Sequence, residues 1–350
     1  MSRKDNQWVH KYSPKTIDEL VLDPILRYNI DTFIYNCSNT HLIMTGPPGC
    51  GKTTTTLAIA TALLPPEAIK TNFLKLNASN ERGSKNIESL VVPFCKRVTP
   101  FQLKIVSLDE ADGTVEKCQY EIIDIIKKYG KNIKFILTSN DSSKIVEGLQ
   151  SICKILEYKP IANEQVVSHL ITICTNENIQ YTTQGVSRLA YLSNGDMRQA
   201  INKLQLISFN LRSTNTNSTN TTNTTNTTNT ITEELVLDIC KIPNPKTIKT
   251  LFESCYINTT ASLKSINQSL DSIFYDGYSC IDVLNILYDV VKAHDDSKCT
   301  YDQKINIISI IESSKIIVQT TKNSKLQAIN VFSRIMSLVN HGALLLLPTS

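Results

Sequence analysis

The sequence predicts an α/β protein: a parallel β-sheet covered by helices on both faces, continued by two all-helical regions. Three observations carry that expectation. The apolar run His41-Leu-Ile-Met-Thr45 meets a glycine loop, Gly46-Pro-Pro-Gly-Cys-Gly-Lys-Thr53, which opens into Thr54-Thr-Thr-Leu-Ala-Ile-Ala-Thr-Ala-Leu63. Four or five short apolar runs alternate with helical patterns as far as Pro160, as buried parallel strands do. Beyond Pro160 the periodicity is helical only.

Taken in order, Trp8 to Pro14 mixes aromatic, apolar and basic residues, as a segment packed along a core's edge can do. Residues 24–36 carry apolar positions at 26, 30, 33 and 34, a short amphipathic helix. Residues 41–45 form the first buried strand, and the helix over 53–63 stops at Pro65-Pro66. Phe73 to Asn77 is a second strand, followed by a turn-rich stretch to Gly83 and a helix over 85–96, in which Pro93 predicts an early end or a kink. Lys104 to Leu108 is a third strand, ending at Asp109-Glu-Ala-Asp112 and expected beside the first. A helix over 115–128 turns Ile122, Ile125 and Ile126 inward. Ile133 to Leu137 is the fourth strand and delivers Thr138-Ser-Asn140, and Lys154 to Tyr158 is the candidate fifth. Sites in such sheets lie beyond the carboxyl ends of the strands, where all these polar motifs fall.

Helices follow at 163–176, 184–192 and 196–209, with Val166, Val167, Leu170 and Ile173 on one face of the first. Residues 213–230 are an Asn/Thr repeat without an apolar side chain, expected to be a disordered connector. Helices resume at Ile231, with stripes such as Leu284, Leu287, Val291 and Leu326, Ile329, Phe332, Ile335, Val339. Those stripes suit a core, or a surface for oligomerisation. The expected domains are 1–160 for nucleotide binding, 161–212 as a helical lid, 213–230 as linker and 231–350 as a helical domain.

Composition narrows the classes. With 350 residues there is room for two or three cores, and 41% apolar with 19% charged residues is ordinary globular material. The net charge of +4, from 36 basic and 32 acidic side chains, does not mark a nucleic-acid binder, so such binding must rest on charge placement. Ten cysteines include no C-x-x-C pair and five histidines no H-x-x-x-H pair. Reduced intracellular thiols are expected, and zinc is not. No apolar leader and no 18-residue apolar run is present, which predicts a cytosolic or nuclear protein without a membrane partner.

The chemistry gathers on the glycine loop. Gly46, Gly49 and Gly51 let backbone N–H groups and the helix N-terminus converge on one phosphate-sized anion. Pro47, Pro48, Cys50 and Thr54 complete that cradle. Lys52 is placed to reach the outer phosphates of a nucleotide and Thr53 to ligate Mg²⁺. Asp109 can hold the metal through water, and Glu110 can deprotonate the attacking water. Asn140 can bond the γ-phosphate or that water, although an asparagine here also suits a turn. Arg198, in Gly195-Asp-Met-Arg198, is a phosphate sensor if its helix folds over the nucleotide and a solvated helix-start arginine otherwise.

Trp8 to Pro14, Gly46 to Thr53, Leu76-Asn-Ala-Ser-Asn-Glu-Arg-Gly83, Leu108 to Asp112, Gln150-Ser-Ile-Cys153 and Gly195 to Arg198 stand in the order and spacing of the replication factor C small subunits. The chain resembles that family of AAA+ clamp-loader ATPases over residues 8–210, and beyond 231 matches it in helical character. The resemblance implies an AAA+ P-loop domain, a helical lid and a C-terminal collar. It implies a hetero-oligomer, a pentamer by family habit, that uses ATP and Mg²⁺ to open a sliding clamp and place it on primer-template DNA. It assigns Val9 and Val21 to the adenine pocket, Asn140 to the first sensor, Arg198 to the second, and Arg82, Ser84 and Lys85 to DNA phosphates. It implies a nuclear location in a eukaryotic cell; an Asn- and Ile-rich composition also leaves a viral source open.

Three departures stand out. Ile152 occupies the place of the arginine that such subunits offer to a neighbour's nucleotide, with Lys154 a nearby cation. Ile123 and Asp124 replace a pair of arginines. His10 and Ser13 replace the usual Glu and Arg of the opening motif. The expected function is therefore an ATP-hydrolysing clamp-loader subunit without its own trans-acting arginine; the alternative is an ATP-binding structural subunit with little hydrolysis. A branch-migration motor would need a winged-helix region, and the C-terminal third gives no sign of strands for one.

Overall fold

The computed structural model describes residues 7–35, 40–77, 84–216, 230–256, 260–294, 299–320 and 325–341. Backbone contacts divide the chain into two compact units, Met1–Glu233 and Glu234–Ser350.

In the first unit, helices α1 (Trp8–Lys11) and α2 (Pro24–Tyr35) precede strand β1 (His41–Thr45), followed by α3 (Lys52–Leu63), α4 (Pro66–Asn72) and β2 (Phe73–Asn77). Helix α5 (Ser84–Lys96), β3 (Lys104–Asp109), α6 (Glu116–Tyr129), β4 (Ile133–Ser139), α7 (Glu147–Ile152) and β5 (Cys153–Glu157) complete a five-stranded sheet of order β2-β3-β4-β1-β5. Every pairing in that sheet is parallel.

The continuous apolar runs follow from burial on both faces. Leu42, Met44, Ile105 and Ile136 point into one cluster, with Ile30, Phe33 and Ile59 of α2 and α3. Their neighbours Ile43, Val106, Phe135 and Leu137 point into the other, with Ile122, Ile125 and Ile126 of α6. Alternation of side-chain direction along each strand sends successive apolar residues to opposite layers, so no polar face is left.

Several expectations are corrected. Strand β3 does not lie beside β1; β4 is between them. Short helices α4 and α7 were not foreseen: Pro66 opens α4 at a first-turn position, where its missing N–H costs no hydrogen bond. Pro93 does not end α5, which runs on to Lys96. The buried Lys104 ammonium satisfies the carbonyls of Phe94 (2.9 Å), Cys95 (3.0 Å) and Arg97 at that helix's end.

Beyond Pro160 lie α8 (Asn163–Asn176), α9 (Thr183–Tyr191) and α10 (Met197–Thr216). The region is not purely helical, because β6 (Gln180–Tyr181) pairs in parallel with β7 (Thr230–Ile231). Helix α10 extends into the Asn/Thr repeat as far as Thr216, and residues 217–229 lie outside the described residues.

Helix α11 (Glu233–Ile239) begins at the boundary between the units, and the second unit packs α12 (Pro245–Ser254), α13 (Thr260–Tyr275), α14 (Cys280–Ala293), α15 (Tyr301–Thr320) and α16 (Lys325–His341) around one core that includes Phe252, Leu284, Leu287, Phe332 and Ile335. Leu326, expected in the α16 stripe, is 74% exposed in the first turn; Phe332 and Ile335 carry the buried face. Among the described residues no helix is long and apolar enough to cross a membrane.

Candidate functional site

A cleft of about 980 Å³ opens over the carboxyl ends of β1, β3 and β4. Its wall includes Pro48, Gly49, Cys50, Gly51, Lys52, Thr53 and Thr54 from the glycine loop, with Glu110 and Asn140 from the strand ends. Val9 and Val21 from the opening segment and Arg198 from α10 line it too. Gly46 and Pro47 contribute carbonyls behind the wall, and each accepts from Lys52 Nζ, at 2.6 and 2.7 Å.

Loop geometry requires its glycines. Gly46, Gly49 and Gly51 have φ of +143°, +70° and +97°, the left-handed half of the map where a Cβ is strained. A Cβ on Gly46 would also lie 2.3 Å from the Tyr158 carbonyl. Around Gly51 nothing stands within 4 Å of such a Cβ, so the loop is open on the side where α3 begins. That leaves a helix N-terminus with unpaired N–H groups facing the cleft, a favourable place for an anion.

Lys52 is 8% exposed and donates a third bond to Asn140 Oδ1 at 3.0 Å, joining the loop to the end of β4. Burial pushes its pKa below the ordinary lysine value. Burial likewise raises that of the Cys50 thiol, whose Sγ donates to the Pro47 carbonyl at 2.8 Å.

Thr53 Oγ1 donates to Asp109 Oδ1 at 3.3 Å, so the two residues expected to share a metal do meet although a strand separates β1 from β3. The intervening strand supplies the link, since Thr138 Oγ1 donates to Asp109 Oδ1 at 2.9 Å and accepts from the Glu110 N–H at 3.2 Å. Glu110 holds a left-handed backbone, φ +57°, at the turn into a short 3₁₀ segment, Ala111–Gly113. The Asn140 N–H donates to Asp112 Oδ2 at 3.2 Å. A hydroxyl and a carboxylate oxygen at this spacing are a hard-donor pair that fits a small divalent cation sharing its remaining positions with water and phosphate. No group of three acidic, His or Cys side chains suited to a metal occurs among the described residues.

The helical segment meets the loop directly. Met197 N donates to the Gly49 carbonyl at 3.2 Å, and the Asp196 carboxylate, which caps α10 through the Gln199 N–H at 2.9 Å, sits where a Gly49 side chain would be. Arg198, the second residue of that helix, is exposed on the cleft wall. The opening segment docks on the same region: the Trp8 N–H donates to Gln205 Oε1 at 3.1 Å. Glu177 is held by Lys11 (2.6 Å), Tyr12 (2.8 Å) and Arg212 (3.6 Å). Val9 and Val21 thereby reach the cleft beside Ile161, Ile201 and Leu206, an apolar end suited to a flat heterocycle.

Three residues were not singled out from the sequence. Thr138 and Asp196 stood inside quoted motifs without a role. Lys75, on β2, pairs with Asp109 Oδ2 at 3.0 Å; a lysine between two leucines of a buried-type strand was the available signal. Ser84 and Lys85 open α5, while Arg82 lies outside the described residues. Ile152 is half-buried against the apolar layer beneath α6, and Ile123 is buried in it. Lys154 Nζ donates to Asn29 Oδ1 at 2.8 Å.

Sheet order, glycine loop and strand-end acids define an AAA+ P-loop protein, and residues 42–161 match the family model of ATPases associated with various cellular activities. Residues 243–334 match the replication factor C C-terminal domain. The chain belongs to the replication factor C small-subunit family: it is 38% identical to a putative replication factor C small subunit of Acanthamoeba polyphaga mimivirus over 94% of this chain and 96% of that one. It is 31% identical to replication factor C subunit 4 of Schizosaccharomyces pombe, over 82% of this chain and 79% of the relative. Among solved structures, the Thermotoga maritima RuvB Holliday junction branch migration motor aligns with a TM-score of 0.53 at 17% identity, covering 74% of this chain and 85% of that one; the likeness is one of fold.

Proposed function

We propose that this chain is an ATP-hydrolysing subunit of a hetero-oligomeric clamp loader, which spends ATP to open a ring-shaped sliding clamp and set it on primer-template DNA during replication. The observation that carries the reading is convergence: Lys52, Thr53, Glu110 and Asn140 come from three strand ends to line one cleft, with Asp109 bonded to Thr53 beside it, in a chain that matches replication factor C small subunits along most of its length.

In this reading the loop amides and Lys52 bind the β- and γ-phosphates, and Val9 and Val21 close on adenine. Thr53 and Asp109 hold Mg²⁺, which when bound neutralises charge developing on the phosphates. Glu110 takes a proton from the attacking water, and Asn140 orients that water against the γ-phosphate. Arg198 reports the phosphates to the helical lid, for which residues 161–212 are the candidate. Arg82, Ser84 and Lys85 track DNA phosphates by charge and by a helix N-terminus, a mode blind to sequence.

In this reading the chain offers a neighbour no trans-acting arginine, since Ile152 stands at that place. Ile152 turns into the apolar layer, and the Lys154 ammonium is engaged by Asn29, which favours a subunit that fires with a neighbour's arginine and does not activate a neighbour. Its place is then at an end of the spiral or beside a subunit that does not fire.

The test is Lys52→Ala in the complex co-expressed with its partner subunits and clamp. DNA-stimulated ATP turnover at this site is expected to fall by roughly a hundredfold or more, with clamp loading reduced in parallel. Loading that continues unchanged with an inert site would instead establish a structural subunit.

A further inference from the structure

Lys75 belongs to none of the motifs that define the site. It is the middle residue of β2, between Leu74 and Leu76, in register with Ser107 of β3. Its ammonium nonetheless reaches the cleft wall and forms an ion pair with Asp109 Oδ2 at 3.0 Å.

The two oxygens of that carboxylate are thus treated differently. Oδ1 takes the hydroxyls of Thr138 and Thr53, at 2.9 and 3.3 Å, and faces the start of α3. Oδ2 faces β2 and takes a full positive charge. An outer partner commonly orients a metal-binding carboxylate through a neutral donor; here the partner is a cation, one carboxylate away from the place where Thr53 and Asp109 could share a dication. Asp109 is 7% exposed, so water screens this arrangement poorly on its inner side, although the lysine side chain itself is 44% exposed.

The geometry points to Lys75 as a positioning residue that sets the metal affinity of the nucleotide site. It holds the Asp109 carboxylate in one orientation through Oδ2 and, by the same charge, weakens the hold of that carboxylate on Mg²⁺. Lys75 need not leave for the metal to enter, because the metal side is Oδ1. The nucleotide is then retained chiefly by the loop and Lys52, and the metal is the loosely held component. This inference rests on the reading of Thr53 and Asp109 as the Mg²⁺ pair.

The test titrates Mg²⁺ into the full chain with its partner subunits and a fluorescent ADP, comparing wild type with Lys75→Met and Lys75→Arg. Direct Mn²⁺ binding by electron paramagnetic resonance is a second readout. Lys75→Met should lower the Mg²⁺ concentration for half-maximal effect, and the Mn²⁺ dissociation constant, by about three- to tenfold, the range for removing one partly screened charge near a dication. Fluorescent ADP binding in excess chelator should stay within about twofold, and Lys75→Arg should keep the wild-type metal dependence. The inference is overturned if Lys75→Met needs as much Mg²⁺ as wild type or more. It is also overturned if that variant loses affinity in chelator, which would make Lys75 a phosphate contact. Wild type that binds no nucleotide would sink the ATP-site reading itself, a separate outcome.

Discussion

Gly49→Ala tests how the glycine loop and the helical segment depend on each other. Gly49 has φ +70°, and a Cβ there would stand 1.8 Å from Asp196 Oδ1 and 2.2 Å from Asp196 Cγ. Three costs follow. A left-handed alanine costs about 1–2 kcal/mol. Asp196 must swing away and release the Gln199 N–H, a cap worth about 1 kcal/mol. Displacing the start of α10 strains the Met197 N to Gly49 O bond, worth about 1 kcal/mol net. The total is about 3–4 kcal/mol. Gly51→Ala is the matched control: its φ is +97° but its Cβ would meet nothing, so only the conformational cost of about 1–2 kcal/mol applies. The chain has one tryptophan, Trp8, 6% exposed and bonded to Gln205 on α10, so its emission during urea unfolding of the full chain follows the first unit. Asp196→Ala alone should cost about 1 kcal/mol, and adding it to Gly49→Ala should cost at least about 1 kcal/mol less than the sum, because the carboxylate that clashes is gone. Additive losses, or Gly49→Ala no worse than Gly51→Ala, would refute the reasoning.

Two further outcomes are expected. Thr138→Val removes the hydroxyl that bridges Asp109 and the Glu110 amide; ATP turnover in the assembled complex should drop roughly ten- to a hundredfold with nucleotide affinity in chelator nearly unchanged, and undiminished turnover would discount the bridge. His41 is buried, its Nδ1 accepts from the Phe135 N–H at 3.2 Å, and burial, aided by the Lys134 charge, pushes its pKa down to about 4. With the unfolded value near 6.5 the folded pKa is the depressed one, so stability is full above about pH 6.5 and is lost as pH falls toward 4, by about 3 kcal/mol. His41→Asn, which cannot take up the proton, should flatten that slope in Trp8-monitored urea midpoints between pH 7 and 4.5; an unchanged slope would assign it to other groups.

Much of the first unit was legible because its determinants are local. The five strands announce themselves as apolar runs, and the glycines, Lys52 and Thr53 occupy a single loop whose geometry is set by its own backbone. What stayed hidden depends on strand order. Nothing in the run ending at Asp109 says that β4 will lie between it and β1, and hence that Thr138 will carry the hydrogen bonds from one acid to the next. Lys75 stood out as a lysine between two leucines, but its partner was hidden for the same reason, since it lies across a pairing that only the assembled sheet creates. Short helices escaped too. The six residues of α7 span under two turns, too few for a periodic stripe, and α4 begins at the proline that was read as a stop.

Three glycines mark close approaches, one at the end of β5 and two between the sheet and the helical segment. Gly46 lies under the Tyr158 backbone, Gly49 under the Asp196 carboxylate, and Gly195 against Pro160 and Ile161, where a Cβ would come within 2.7–2.8 Å. The Ile161 N–H also donates to the Gly195 carbonyl at 3.2 Å, tying the exit from the sheet to the entrance of α10. None of the three glycines has a side chain of its own to hold its neighbour off. A loop that shifts to wrap an anion therefore presses on Asp196 by contact, and through it on the helix that bears Arg198 two residues later. Under the proposed function, that is a direct mechanical route from phosphate occupancy to lid position. It requires no relay through the core, because the carboxylate that fixes the helix start is the same one that fills the glycine's empty side.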